Sequence, residues 1–407
     1  MDRCIIAISH SNYRIKSAGI EKFIQETSLQ IMRSGLHILQ VFPVIEINKV
    51  LRKQYVAVNY DGVFNGIYRE DYLYSALNNI CDNKNIEYVG IDIHQLHGWN
   101  LKNLTSVILE LNVPVNFYVH DYATVSSKVL ADTNQYVQRY PISCFGEADI
   151  KKFEEFENFF SAIFVQVKKV VAPSLIAGEN WCKSYPSFRD KLVIRKHLSC
   201  SGSRVMAKNI SQPIRIGYLG STASHKGFAY WEKLVALLGE SQDYSFYYFG
   251  RDTRAMPGVK KVQVDFHNKD SKSMTECILQ EKIDVVFLWS TWQETYCYTY
   301  YEAAAAGCYV LTNAKSGNIQ FQVKANDDGK VFDSFDDCLD YLNNLAQIKK
   351  DVSEFQSRRD VPAYVPNPNI ADLIPGTEMR EKRNICKKTC KSYILSFVYR
   401  VLRGNYK

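Results

Sequence analysis

No stretch of the 407 residues approaches the ~20 uninterrupted apolar residues of a membrane-spanning helix, which argues against an integral membrane protein. Paired cysteines are missing too. The 11 cysteines are odd in number, run from Cys4 to Cys390 and include no C-x-x-C. That pattern argues against a zinc site or a disulfide framework and predicts buried thiols in a reducing cytoplasm. There is no D-x-D metal motif, no repeat at a solenoid period and no low-complexity segment. Excess charge is absent from most of the chain. The net charge is +7, yet residues 379–407 alone carry nine lysines and arginines against one acid, which leaves the other 378 residues at −1. Basicity this local argues against a nucleic-acid binder, whose charge spreads over a folded face.

What is present is ordinary globular material. Hydrophobic residues make up 46% and charged residues 23%, which excludes wholesale disorder. The length suits two domains. The opening MDRCIIAISHSN holds one short apolar run and predicts a first strand, not a secretion signal. Strand-like and helix-like segments then alternate. A helical stripe covers Ile20–Arg33, strands are expected at Leu36–Pro43, Glu87–Ile93, Val115–Val119 and Lys169–Ala172, and a hairpin is expected about Asp61-Gly62. A helix is expected at Leu101–Leu111, and Ser174 is placed to cap the helix that follows it. The polar stretch Ser199–Pro213 reads as a linker, after which the alternation restarts at Ile214–Leu219. The expectation is two doubly wound α/β domains, 1–205 and 206–370, facing a central cleft, with a basic tail at 371–407.

The most informative segment is Glu294-Thr-Tyr-Cys-Tyr-Thr-Tyr-Tyr-Glu302-Ala-Ala-Ala-Ala-Gly307, between the strands Asp284–Leu288 and Tyr309–Leu311. A helix beginning near Tyr296 would leave Glu294 just before its N-terminus and Glu302 two turns inside. Free N–H groups there favour a diphosphate, while the carboxylates can reach sugar and ribose hydroxyls. The alanine run and Gly307 let such a helix lie close on the sheet. A second element, Gly220-Ser-Thr-Ala-Ser-His225-Lys226-Gly227, joins a strand to a helix and makes a phosphate cradle with a lysine. It is not a Walker A loop. A third set, His94-Gln-Leu-His97 and His120-Asp121, ends two strands on the side where doubly wound sheets bind ligands. His94, His97 and Asp121 lack the supporting acids of a metal site and fit an acceptor pocket or packing.

Together these residues resemble the retaining glycosyltransferases of the GT-B fold, family 4, of the bacterial surface-polysaccharide (capsule and O-antigen) type. The resemblance runs to about residue 360. It implies that the turn at Ser17-Ala18-Gly19-Ile20-Glu21 is the glycine-rich first loop, with Gly19 facing acceptor and donor phosphate. It implies that His120 contacts the donor sugar, Lys226 and Gly227 bind the diphosphate, Glu294 touches the transferred sugar and Glu302 holds the nucleotide ribose. Ser316-Gly317-Asn318-Ile319 and Asp328-Gly329 are similar to the family's later glycine signatures. One departure is Ser221, where many members carry arginine; charge compensation then rests on Lys226, helix termini and Arg251. The implied reaction moves a sugar from a nucleotide-diphosphate sugar to a hydroxyl of a glycan or lipid-linked glycan, keeping anomeric configuration and needing no metal or other cofactor. Rival readings are a nucleotide-sugar 2-epimerase of the same fold and a non-catalytic partner subunit.

The tail adds one expectation. Cys386, Cys390, Tyr393, Ile394, Phe397, Val398 and Val401 recur at three- and four-residue steps, the apolar stripe of one helix. Such a helix either packs back on the N-terminal domain or lies on the anionic cytoplasmic face of a membrane.

Overall fold

The computed structural model describes residues 1–15, 18–125, 147–206, 209–251, 256–264, 272–358, 360–370, 373–374 and 392–403, with backbone alone at 147–150 and 402–403. They fall into two compact units. The first takes the chain through His197 and again from Pro366, and the second spans Leu198–Val365.

The first unit runs β1 (Asp2–Ile8), α1 (Gly19–Arg33), β2 (His37–Pro43), α2 (Ile45–Leu51), β3 (Tyr55–Tyr60), β4 (Val63–Arg69), α3 (Leu73–Lys84), β5 (Ile86–Ile93), α4 (Leu101–Leu111), β6 (Val115–Tyr118), α5 (Glu147–Ala162), β7 (Val167–Ala172), α6 (Leu175–Ser184) and β8 (Leu192–Ile194). The eight strands make one sheet in the order β4-β3-β2-β1-β5-β6-β7-β8. It is parallel except at one edge, where β3 lies antiparallel between β2 and β4. Asp61 and Gly62 both sit at positive φ, 48° and 77°. That is the two-residue turn whose twist matches the strands.

The second unit begins with β9 (Leu198–Val205), β10 (Ile214–Leu219), α7 (Phe228–Leu238), β11 (Tyr244–Gly250), β12 (Val259–Gln263), α8 (Met274–Gln280) and β13 (Val285–Leu288). It continues with α9 (Tyr298–Ala305), β14 (Tyr309–Asn313), α10 (Asn318–Asn326), β15 (Gly329–Phe332), α11 (Phe335–Asn343), α12 (Leu345–Ser357) and β16 (Asp360–Pro366). Its main sheet, β12-β11-β10-β13-β14-β15, is wholly parallel. Alternate residues of each strand feed two separate cores. Ile214, Ile216 and Tyr218 join Trp231 on one face, while Leu219, Phe249 and Val286 join Tyr300 on the other. A parallel sheet buried on both faces needs such continuous apolar strands.

The expected linker is only partly one. Leu198–Val205 is strand β9, paired with β16 in a two-stranded ribbon. A polar strand is recognisable only through its partner, and that partner lies some 160 residues away in sequence. The last helix, α13 (Tyr393–Arg403), belongs to the first unit and is taken up below. No helix among the described residues is long and apolar enough to cross a membrane.

Candidate active site

Both sheets change winding direction once. In the second unit the chain leaves β10 toward β11 and β12, then returns to the other side of β10 as β13. Ligands of doubly wound sheets bind at the carboxyl ends of the strands flanking this reversal. The loop after β10 is Gly220–Gly227 and the segment after β13 leads to Glu294, so the two strongest sequence motifs meet at the switch point.

The first loop is fixed from beneath by tyrosines. Tyr218 donates its hydroxyl to the carbonyls of Ser221 (2.8 Å) and Lys226 (3.1 Å), and Tyr248 donates to that of Gly220 (3.1 Å). Gly227 holds φ 80°, and a Cβ there would lie 1.9 Å from the carbonyl oxygen of Trp289. Only glycine combines this left-handed turn with so close an approach. The turn delivers Lys226, whose ammonium lies 2.6 Å from Oε1 of Glu294. Ser290 donates to the same oxygen at 2.6 Å. Burial works against the Lys226 ammonium, but the Glu294 carboxylate outweighs it and raises its pKa. Burial, with Lys226 alongside, lowers that of His225.

Glu294 is 1% exposed and is held at the backbone. Its N–H donates to the Ser316 carbonyl and its carbonyl accepts from the Asn318 N–H at 2.8 Å. This bridge is possible because residue 317 is glycine, since a Cβ there would lie 2.6 Å from the Glu294 nitrogen. The Ser316-Gly317-Asn318 signature therefore positions Glu294. Helix α9 starts at Tyr298 with Cys297 as its cap, two residues later than expected. Glu302 is consequently one turn inside the helix rather than two, and half-buried. Tyr300 of the same helix donates to Asp328 (2.5 Å), whose carboxyl burial pushes up to about 7. Arg251 is exposed at the carboxyl end of β11.

In the first unit the winding reverses between β1 and β5. His94 follows β5, and His120 lies just past β6. Both are buried, with Nδ1 of His94 3.1 Å from Nε2 of His120. Burial lowers both pKa values, to about 3 for His120 with His10 adding to the effect, and well below the usual range for His94. His197 completes the cluster, its ring 5.7 Å from that of His120 and 4.3 Å from that of Phe23. Asp121 accepts from Gln95 (2.6 Å) and from the Ala123 N–H, and burial raises its pKa. His97 is exposed, apart from His94. Gly19 opens α1 and is exposed, while Ser17 lies outside the described residues.

Sequence reasoning missed Ser290, His197 and His10, and it did not foresee the burial of Glu21. Ser11 donates to Oε1 of Glu21 (2.5 Å), and His10 Nε2 lies 3.4 Å from the same oxygen. Glu21 had been visible as part of the first-loop motif, yet nothing in its spacing showed that it would be 2% exposed.

No protein-family model matches the chain, and no curated protein matches it. Solved structures do. A crystal structure of Anabaena Alr3699/HepE in complex with UDP-glucose is 12% identical, with a TM-score of 0.50 over 88% of this chain and 95% of that one. WaaG, a glycosyltransferase involved in lipopolysaccharide biosynthesis, is 13% identical, with a TM-score of 0.51 over 91% of this chain and 100% of its own. Sucrose-phosphate synthase from Thermosynechococcus elongatus is 13% identical, with a TM-score of 0.52 over 88% and 94%. The chain has the GT-B fold, two Rossmann-like units built on mostly parallel sheets.

Proposed function

We propose that the chain is a retaining glycosyltransferase that moves a sugar from a nucleotide-diphosphate sugar to a hydroxyl of a lipid-linked glycan in bacterial surface-polysaccharide assembly. The observation that carries this reading is the meeting of Lys226 and Glu294 at the switch point of the second sheet, 2.6 Å apart. A cation on a phosphate turn and a carboxylate ahead of a helix N-terminus match the two halves of such a donor, diphosphate and sugar. The structures similar in fold include one in complex with UDP-glucose and a glycosyltransferase involved in lipopolysaccharide biosynthesis.

On this reading Lys226, the Gly220–Gly227 turn and the first N–H groups of α9 take the charge that builds on the leaving diphosphate. Glu294 orients the transferred sugar, Glu302 holds the ribose, and His120 keeps the donor-sugar role that the resemblance gives it. Arg251, exposed at the carboxyl end of β11, adds a further positive charge for the phosphates. The residues place and stabilise, and the proton of the acceptor hydroxyl leaves with the diphosphate, so no metal is needed. The enzyme works on the cytoplasmic face of a membrane, to which the basic tail is attracted.

The test is product analysis with a panel of nucleotide sugars, with and without membrane extract as acceptor. Transfer with retained anomeric configuration, surviving excess chelator, supports the reading. An epimerised nucleotide sugar formed without acceptor assigns the chain to the epimerases. Loss of activity with chelator, restored by magnesium or manganese, removes the metal-free mechanism.

A further inference from the structure

The last helix packs on the first unit with a face other than its most apolar one. Leu395 and Tyr399 join Phe42, Val44, Ala57 and Ile67 in a small core. Ser396 accepts from the Ile67 N–H at 2.9 Å, and Tyr399 stacks on Phe64 at 5.0 Å. The described part of the stripe, from Tyr393 on, points outward, with Tyr393 77% exposed, Ile394 78% and Phe397 69%; Cys386 and Cys390 lie outside the described residues. Helix α2 covers the same small core through Ile47 and also turns apolar residues outward, Val50 and Leu51, among the exposed Lys49, Arg52 and Lys53. The two helices thus lie in one layer with apolar and basic side chains on its outer side, and Arg400 adds a further exposed cation.

Beside them is an open pocket at the carboxyl ends of β1 and β2. Its polar lining includes His10, Ser11, Asn12 and Glu46, and its apolar lining includes Ile15 and, from the last helix, Tyr399. Behind it Glu21 grips Ser11 and His10 through Oε1, while its buried Oε2 has no partner among the described residues. Carboxylate, amide and aromatic groups together suit a pyranose, which presents hydroxyls at its rim and C–H groups on its faces. Two carboxylates disfavour a phosphate in this pocket, and α2, with seven residues, is too short to offset them.

We propose that this pocket takes the carbohydrate head of a membrane-bound glycolipid, with Tyr399 as its aromatic wall and the outer sides of α2 and α13 resting on the anionic lipid around it. The proposal rests on the glycosyltransferase reading and names its acceptor as a glycolipid sugar. Tyr399 makes one helix serve both purposes: its outer side meets lipid and its inner side meets sugar. Basic side chains strengthen attachment to anionic lipid, and apolar ones insert at the headgroup boundary.

The experiment is co-sedimentation of the full chain with phosphatidylcholine vesicles containing phosphatidylglycerol, alone or doped with glucosyl-, galactosyl- or N-acetylglucosaminyl-diacylglycerol. Wild type binds the undoped vesicles and gains at least about five-fold in affinity from one of the glycolipids, the scale of one aromatic contact. Tyr399→Ala loses that gain and keeps the undoped binding, whereas Tyr399→Phe keeps both. Ile394→Asp/Phe397→Asp loses binding to all vesicles. Equal gain in wild type and Tyr399→Ala, or no gain from any glycolipid, overturns the pocket. Unchanged vesicle binding in the double aspartate variant overturns the surface. UDP, GDP and ADP binding, measured in the same preparations, reports on the donor site separately, so failure there falls on the glycosyltransferase reading alone.

Discussion

Replacing Glu294 by glutamine should tighten the binding of a free nucleoside diphosphate while destroying sugar transfer. The Glu294 carboxylate sits 2.6 Å from the Lys226 ammonium and compensates its charge. At an effective dielectric near 20, two unit charges at that separation interact by about 6 kcal/mol. The Lys226 side chain is 33% exposed, so solvent screening reduces what is recovered to about 1 kcal/mol, or about five-fold in affinity. Glutamine keeps the shape and can still accept the Ser290 hydrogen bond, so the loop need not collapse. Transfer should fall by at least about 100-fold, because the sugar loses its charged partner in the transition state. Calorimetry with UDP, GDP and ADP on wild type, Glu294→Gln, Lys226→Ala and the double variant measures the coupling. The gain must vanish in the Lys226→Ala background. Equal or weaker diphosphate binding in Glu294→Gln would mean that the two residues do not share one electrostatic account.

Three further outcomes follow from the same geometry. Asp328→Asn should raise the melting temperature at about pH 8 and lose that advantage toward pH 4: the folded carboxyl titrates near 7, so wild-type stability is full below its unfolded value and falls as pH rises through the folded one. The buried histidines act in the opposite direction. His120 is lowered to about 3, with His94 and His197 lowered by burial as well, so stability should drop as pH falls below about 6.5, and His94→Gln/His197→Gln should flatten that drop in a thermal-melt series. Gly227→Ala should cost at least about 2 kcal/mol, since alanine must adopt φ 80° and push against the Trp289 carbonyl; an unchanged melting temperature with unchanged nucleotide binding would mean that the turn is not rigid.

The fold was legible because its signals are local. The stripe of α1, the helix at Leu101–Leu111, the apolar strands β10 and β13 and the Asp61-Gly62 hairpin each depend on a few neighbouring residues. What escaped depends on distant partners. Strand β9 is polar and exists through β16, and α13 turns its apolar stripe outward because Leu395 and Tyr399 find a core made by β2, β3 and β4. The two motifs were readable as separate elements, and the family resemblance gave them two expected tasks, Lys226 for phosphate and Glu294 for sugar. Only the sheet order, which sets β13 beside β10, shows that the two side chains touch. Nor could spacing separate His94 from His97. A tight turn, with Gly98 at φ 84°, leaves one inside and the other in solvent.

The central claim is that Lys226 and its turn form a nucleotide-sugar site, and it is tested most directly by titrating UDP-, GDP- and ADP-sugars into wild type and Lys226→Ala. The account predicts saturable binding of at least one donor to wild type, weakened at least about ten-fold in the variant, whose fold remains intact by circular dichroism. No saturable binding of any donor, or the same affinity in both proteins, would contradict it.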